Sequence, residues 1–367
     1  MPTGPTPALI VVLGGFVLAF IFGVVANRSN FCIMGAVSDA VNMQHWGRVR
    51  LWMLALAVAI VGTNVLYLTG SIDLAKSIYH RPTLPWLSLL VGGALFGVGM
   101  TLAGGCPNKN LLRLGGGSLR SLIVLVILAI TAYMTLKGLF AEFRVVYLDP
   151  VAVDLAGLGL KQASIGALFS RLGGLPVAAG LTAATAVCAV GLLVFVFKDR
   201  EFRSEPVQIA SGVVLGLLVV AGWFVTGHLG FGESPETLED VYFATNSRTL
   251  ESLSFVAPMA YSLEMLLLWT DKSLRMSFGI ASVIGVALGA LVEARFSGRF
   301  RWEGFASLQD LRQNLAGAAL MGFGGITAMG CTIGQGLSGL SSLAIGSLIA
   351  VAGIVSGSAA TMKWLQR

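Results

Sequence analysis

The chain has 367 residues, of which 56% are apolar and only 11% charged, with a net charge of +6. A water-soluble domain covers its surface with roughly 25% charged residues, so most of this chain must face hydrocarbon or its own interior. The positive balance sits in short loops and forms no basic stripe, which excludes nucleic-acid binding as its role.

Nine apolar runs near the ~20 residues needed to cross a bilayer follow one another. They fall at about 8–26, 51–69, 87–105, 118–137, 175–197, 207–227, 276–294, 314–330 and 340–362. No basic segment precedes the first, so it reads as a span and not a secretory signal. Two further segments, 29–41 and 252–268, are too short to cross. Asn30 and Gly35 interrupt the first, Ser254 and Pro258 the second. They read as re-entrant half-helices, which persist in a membrane only where protein or a polar cavity surrounds them. The longest connection, 138–174, carries mixed charges (Glu142, Arg144, Asp149, Asp154, Lys161, Arg171) and suggests a surface segment with a short amphipathic helix. The expected fold is all-α and integral to the membrane: about nine transmembrane helices plus short half-helices, in a single transmembrane domain over 1–367.

Nine crossings place the termini on opposite faces. One face, carrying 27–50, 106–120, 198–206, 295–313 and the C-terminus, holds 15 of the 24 Lys and Arg, including Arg48, Arg50, Lys109, Arg113, Arg120, Arg295, Arg299 and Arg301. The other holds 11 of the 18 acids, including Glu233, Glu236, Glu239 and Asp240. Cytoplasmic loops are the Lys/Arg-rich ones, so the N-terminus is expected outside and the C-terminus in the cytoplasm. Trp46, Trp52, Trp86, Trp269, Trp302 and Trp364 fall near span ends, where interfacial anchors belong.

Gly-Gly-Cys-Pro-Asn-Lys at 104–109 and Met-Gly-Cys-Thr-Ile-Gly at 329–334 close two Gly-rich apolar runs, with Cys106 and Cys331 separated by 225 residues. At that offset Gly92, Ala94, Leu95, Gly97, Gly99, Ala103 and Gly105 meet Gly317, Ala319, Leu320, Gly322, Gly324, Ala328 and Gly330. Ser29, Met34 and Asp39 likewise meet Ser254, Met259 and Glu264. The chain thus reads as two pseudo-symmetric repeats, about 8–137 and 207–362, joined by a linking span at 175–197. An odd number of crossings between equivalent points inverts the second repeat, an arrangement that places transporter sites at the repeat interface; a re-entrant Cys-bearing span would change the parity and make the repeats parallel.

Each repeated thiol sits where a helix breaks, and the next helix begins with unpaired amides and partial positive charge that favour an anion. Gly104, Gly105, Gly330, Gly334 and Gly336 permit close backbone approach to a ligand; close helix packing is the alternative use of small residues. Asn108, Lys109, Thr332 and Gln335 supply polar groups just beyond the breaks. Cys32, between Arg28 and Asp39, has Ala257 as its counterpart and reads equally as packing or pathway. Cys188, mid-span without a partner, reads as a small buried hydrophobe. None of the four cysteines forms a C-x-x-C pair.

The motifs Ser-Asn-Phe-Cys-Ile-Met-Gly-Ala (29–36), Leu-Ala-Gly-Gly-Cys-Pro (102–107) and Gly-Cys-Thr-Ile-Gly-Gln-Gly-Leu-Ser-Gly (330–339) resemble the YeeE/YedE-type sulfur-transport family, which includes bacterial thiosulfate uptake proteins. The resemblance covers essentially the whole chain. It implies a nine-span fold with pseudo-two-fold symmetry, a bacterial inner-membrane location, and uptake of thiosulfate or a related small sulfur anion past three cysteines, which by motif are Cys32, Cys106 and Cys331. The anion's soft terminal sulfur would accept S–H hydrogen bonds without covalent exchange, with Gly105, Asn108, Lys109, Gly330, Thr332 and Gln335 in support. The resemblance also implies a cytoplasmic sulfur-carrier or sulfurtransferase partner.

This reading has no catalytic residue, cofactor or bound metal. Two alternatives use the same thiols: a soft-metal transporter, and a membrane sulfur-relay protein with a persulfide on Cys106. No G-x-x-x-x-G-K-[ST] loop is present for ATP. His228, Asp39 and Glu264 are the candidate proton sites, each with a structural reading beside it. The orientation is testable by fusions at the C-terminus: a fluorescent protein is expected to mature there and alkaline phosphatase to stay inactive, and the opposite pattern would reverse the topology.

Overall fold

The computed structural model describes residues 6–155, 157, 162–174, 176–234, 238–305 and 307–366; Lys161 and Glu236 lie outside them. In chain order the helices are α1 (Pro7–Arg28), α2 (Ile33–Ser38), α3 (Gly47–Leu68), α4 (Trp86–Leu102), α5 (Pro107–Gly115), α6 (Leu119–Lys137), α7 (Leu139–Phe143), α8 (Ile165–Gly173), α9 (Val177–Phe197), α10 (Arg200–Arg203), α11 (Pro206–Phe224), α12 (Val256–Leu267), α13 (Phe278–Phe296), α14 (Leu308–Thr327) and α15 (Ile345–Leu365). Helices α1, α3, α4, α6, α9, α11, α13, α14 and α15 occupy the nine expected runs. Among the described residues eight helical segments are long and apolar enough to cross a membrane, and α14 is the long helix that falls short. Its first turns carry Asp310, Arg312 and Asn314. Arg120 of α6 reaches both Asp310 and Asn314 at 3.1 Å, so this polar start is partnered inside the protein.

Serine hydroxyls accept the amide three residues on at the starts of α6 (Ser118), α8 (Ser164), α13 (Ser277) and α14 (Ser307), satisfying one orphan donor in each. The expected half-helices are α2, prolonged by a π-helical turn over Asp39–Met43, and α12. Two minimal antiparallel pairs, Thr83–Leu84 with Val153–Asp154 and Phe231–Glu233 with Asp240–Tyr242, tie loops together on the acid-rich face. The 138–174 connection carries the short helices α7 and α8. Contacts on the Arg-rich face join its separate loops, with Arg50 on Asp199 at 3.1 Å and Gln366 on Asn42 at 2.9 Å.

Glycine sets the helix packing at the centre. A Cβ on Gly92 would stand 2.5 Å from the Ala328 amide and 2.9 Å from the Gly324 carbonyl. One on Gly317 would stand 2.6 Å from both the Ala103 amide and the Gly99 carbonyl. These contacts are reciprocal at the 225-residue offset, and the rising and falling numbers make α4 and α14 antiparallel. The pairs α1–α13 and α11–α3 also correspond, each packed in parallel: Gly15 on Phe278 and Gly23 on Val286, Gly212 on Leu54 and Gly216 on Ala55. Along α4 and α14, then, these glycines do serve close packing.

One expectation needs correction. Trp52 is no interfacial anchor: it is 7% exposed and packs inward, whereas Trp46, Trp86, Trp269, Trp302 and Trp364 are exposed. Glu264, one of the expected proton sites, is buried and accepts from Lys137 Nζ at 2.8 Å and Tyr133 Oη at 3.0 Å. Of the other expected proton sites, Asp39 is ion-paired with Arg48 at 3.3 Å, and His228 stacks on Phe224.

A Cβ at Gly99 would meet the Gly317 carbonyl at 2.6 Å, whereas Gly191 has nothing within 4 Å. Gly99→Val is expected to lower stability in detergent by roughly 1–3 kcal/mol through overpacking, and Gly191→Val to leave the thermal midpoint nearly unchanged. Equal midpoints for the two would contradict the close α4–α14 crossing.

Candidate functional site

Both helix breaks are built alike. Gly104 (φ 64°) and Met329 (φ 58°) adopt the left-handed conformation at equivalent positions. The amides that follow turn back in the same way: Gly105 N–H donates to Met100 O at 2.8 Å, and Gly330 N–H to Gly325 O at 2.8 Å. This six-to-one closure satisfies carbonyls at a helix end. It directs the chain straight into Cys106 and Cys331. Glycine takes a positive φ freely; Met329 adopts it against the usual preference of L-residues.

All three expected cysteines then stand where a helical turn starts. Cys32 is the N-cap of α2, and its Sγ accepts Gly35 N–H at 3.3 Å. Cys331 Sγ accepts Gly334 N–H at 3.4 Å, ahead of the π-helical turn Gly334–Gly339. Cys106 is the N-cap of α5, with the Lys109 amide beside its sulfur. All three are buried and free of disulfides. Cys188 is only partly buried and lies apart on α9.

The structure brings Cys32 and Cys106 together, thiol to thiol. Thr332, the residue after Cys331, lies against the Cys106 thiol, so the two breaks meet tip to tip. On the other side Tyr79 is within electrostatic reach of Cys331, and a Cβ on Gly334 would stand 2.6 Å from Ser254 Oγ.

The supporting residues divide. Asn108 and Thr332 are each 1% exposed; among the described residues the Asn108 amide atoms have no hydrogen-bond partner, and the Thr332 hydroxyl has only the Cys106 thiol beside it. A buried polar group left bare costs ~1–3 kcal/mol, and the Asn108 amide holds two such atoms in the turn that Cys106 begins. Lys109 is within reach of Cys32, Cys106, Arg48 and Arg113, and among the described residues it makes no ion pair. Gln335, by contrast, is engaged by the protein. Its Nε2 donates to Ala328 O at 2.5 Å and its Oε1 accepts from Ser347 Oγ at 2.6 Å, which braces the second break. Gly105 and Gly330 pack on the side chains of Lys109 and Gln335, where an added Cβ would sit at 3.1 Å in each case.

Cavities approach this buried centre from both faces. One of about 600 Å³ is lined by Tyr79, Arg81, Glu251, Ser254, Met329 and Gly330. The other, about 430 Å³, is lined by Ser29, Asn30, Asp39, Arg48, Glu201 and Glu205.

The sulphur transport family's sequence profile matches residues 28–360. The chain belongs to that family. It is 26% identical to the thiosulfate transporter TsuA of Escherichia coli over 339 residues, 89% of this chain and 86% of that protein. It is 24% identical to the thiosulfate transporter TsuA of Spirochaeta thermophila over 365 residues, 96% of this chain and 98% of that protein. The family membership agrees with the multi-pass helical architecture and with the resemblance carried by the three cysteine motifs.

Sequence reasoning missed Trp52, Tyr79 and Glu251 as residues of this region. The Trp52 indole N–H is buried without a partner among the described residues, close to where a Gly336 Cβ would stand. Tyr79 is buried on a short 3₁₀ turn (Ile78–His80) within a connecting loop, and no periodicity marks it. An orphaned amide in a dry core is a liability that an apolar isostere removes. Asn108→Leu is therefore expected to hold or raise the stability of the ligand-free protein, by up to ~1–3 kcal/mol. A loss of several kcal/mol in a denaturation series would show that the amide has a structural partner.

Proposed function

We propose that the protein imports thiosulfate, or a closely similar sulfur anion, across a bacterial cytoplasmic membrane through a path that runs from the larger cavity past Cys331, Cys32 and Cys106 to the Arg-rich face. The observation that carries this reading is the meeting of three buried thiols, each at the start of a helical turn, with the unpartnered Asn108 amide and the Thr332 hydroxyl. The names of both relatives support thiosulfate as the cargo.

Thiosulfate has a hard end and a soft end. Its oxygens suit the Asn108 amide, the Thr332 hydroxyl and the amides of the broken helices. Its terminal sulfur suits S–H donors, which are weak and polarizable. The Cys32 and Cys106 thiols lie against each other. The arriving sulfur replaces that contact, so little is lost on binding or on release, as conduction through several weak sites requires. Lys109 supplies the compensating charge, because an isolated anion in hydrocarbon costs tens of kcal/mol by Born solvation. Glu201 and Glu205 on the second cavity then repel the anion toward solvent. The chemistry is non-covalent and needs no thiol–disulfide exchange. The cytoplasmic partner is a sulfur carrier or sulfurtransferase that consumes the cargo and keeps its inner concentration low.

The corresponding contacts on either side of the antiparallel α4–α14 crossing support two inverted repeats, 8–137 and 207–362, joined by α9. In that arrangement the outer and inner approaches are related by the same pseudo-two-fold axis.

Uptake of labelled thiosulfate, in cells lacking other importers, tests the path. Cys32→Ala, Cys106→Ala and Cys331→Ala are each expected to reduce the initial rate at least tenfold, the equivalent of ~1.4 kcal/mol in the barrier, while Cys188→Ala stays near wild type. Equal rates in all five proteins would remove the thiols from the mechanism.

A further inference from the structure

The larger cavity contains two carboxylates. Asp149 is held by Arg144 Nη1 at 2.7 Å and by Ser88 Oγ at 2.7 Å. Among the described residues Glu251 has no basic partner; its Oε2 accepts from the Ser247 hydroxyl at 2.8 Å. The groups facing Glu251 are Tyr79 from the 3₁₀ turn and Tyr261 from α12, with Ser247 and Asn246 from its own loop. Arg81, Arg144 and Asp149 complete the charged lining, and Glu264 with its partner Lys137 lies behind Tyr261. Tyr79 is within electrostatic reach of both Glu251 and Cys331. An ionised Glu251 therefore stands in the approach to Cys331 and repels any anion that enters, whereas a neutral one removes that repulsion and keeps an O–H to donate.

We propose that the cavity binds a proton together with its anion, and that Glu251 is the residue that holds the proton. This inference rests on the anion-transport reading above and adds a second, coupled ligand. Binding is reciprocal: if the proton strengthens anion binding by some factor, the anion strengthens proton binding by the same factor. Burial supports the assignment by pushing the Glu251 carboxyl up to about 7, so the exchange occurs in the range of an ordinary external medium. The sign follows. Below about pH 7 Glu251 is neutral and the anion is admitted; as pH rises through 7 the carboxylate forms and affinity falls. Import against an inside-negative potential is also eased, because the loaded site carries one negative charge fewer.

The test is thiosulfate binding to the intact detergent-solubilised protein at pH 6 and pH 8, by calorimetry in buffers of different ionisation enthalpy. Wild type is expected to bind about tenfold more weakly at pH 8, since one coupled proton shifts affinity up to tenfold per unit above its pKa, and to take up a proton on binding there. Glu251→Gln, neutral and still able to meet Ser247, is expected to bind at pH 8 as wild type does at pH 6, without proton uptake. His228→Gln, on the same face, should retain the wild-type pH dependence. Wild-type affinity equal at the two pH values, or no proton uptake, overturns the inference alone even if the Gln variant fails to fold. Absence of thiosulfate affinity at either pH overturns the transport reading and the inference with it.

Discussion

Backbone amides and carbonyls have no water to bond in hydrocarbon, and each one left bare there costs several kcal/mol. An interrupted helix inside the membrane must therefore close its hydrogen bonds within the protein. At Leu102–Cys106 and Thr327–Cys331 the chain does so with one left-handed residue and one six-to-one bond. That closure takes care of the carbonyls of the ending helix. The amides of the next turn remain, and a cysteine sulfur accepts one of them at Cys331 as Cys32 does at the start of α2. Sulfur is a weak acceptor, so the caps are easily exchanged. The same constraint that shapes the fold thus leaves soft groups and partial positive charge at its centre.

The breaks can meet because α4 and α14 cross with glycine against backbone at Gly92, Gly99, Gly317 and Gly324. With side chains there, Thr332 would stand away from Cys106 and the two halves of the site would separate. In the proposed import path, electrostatics gives the site its direction. Moving negative charge against an inside-negative potential costs ~2.3 kcal/mol per charge for each 100 mV. On that proposal Arg81 at the larger cavity and Lys109 near the thiols attract the anion, and the acids Glu201 and Glu205 of the smaller cavity discourage its retention. Each attraction is modest. A tighter cage, such as a bidentate arginine pair, would bind the anion better and pass it more slowly.

The architecture was legible because hydropathy and repetition are written into the residues themselves. Nine apolar runs became nine long helices, and the paired Gly-Cys motifs became two matching breaks. The start of α14 was the least legible span, since Asp310 and Asn314 look like loop residues until Arg120 is seen to reach them. The centre was legible only in part. Asn108 and Thr332 follow the cysteines directly, but Gln335 in the same motif turns inward to brace the chain. Trp52 near a span end reads as an anchor, and only the packing of α3 against the second break turns it inward. Glu251 and Tyr79 sit in loops, where position depends on tertiary contacts that no periodicity encodes.

The most direct measurement is the position of a bound anion that carries its own label. Selenosulfate replaces the soft terminal sulfur of thiosulfate with selenium, whose anomalous scattering locates that atom alone in a crystal. The selenium is expected within contact distance of the Cys331, Cys32 or Cys106 sulfurs, with the oxygens turned to Asn108 and Thr332. Selenium found only at the protein surface, or in a cavity that reaches neither break, would contradict the passage of the anion between the two breaks.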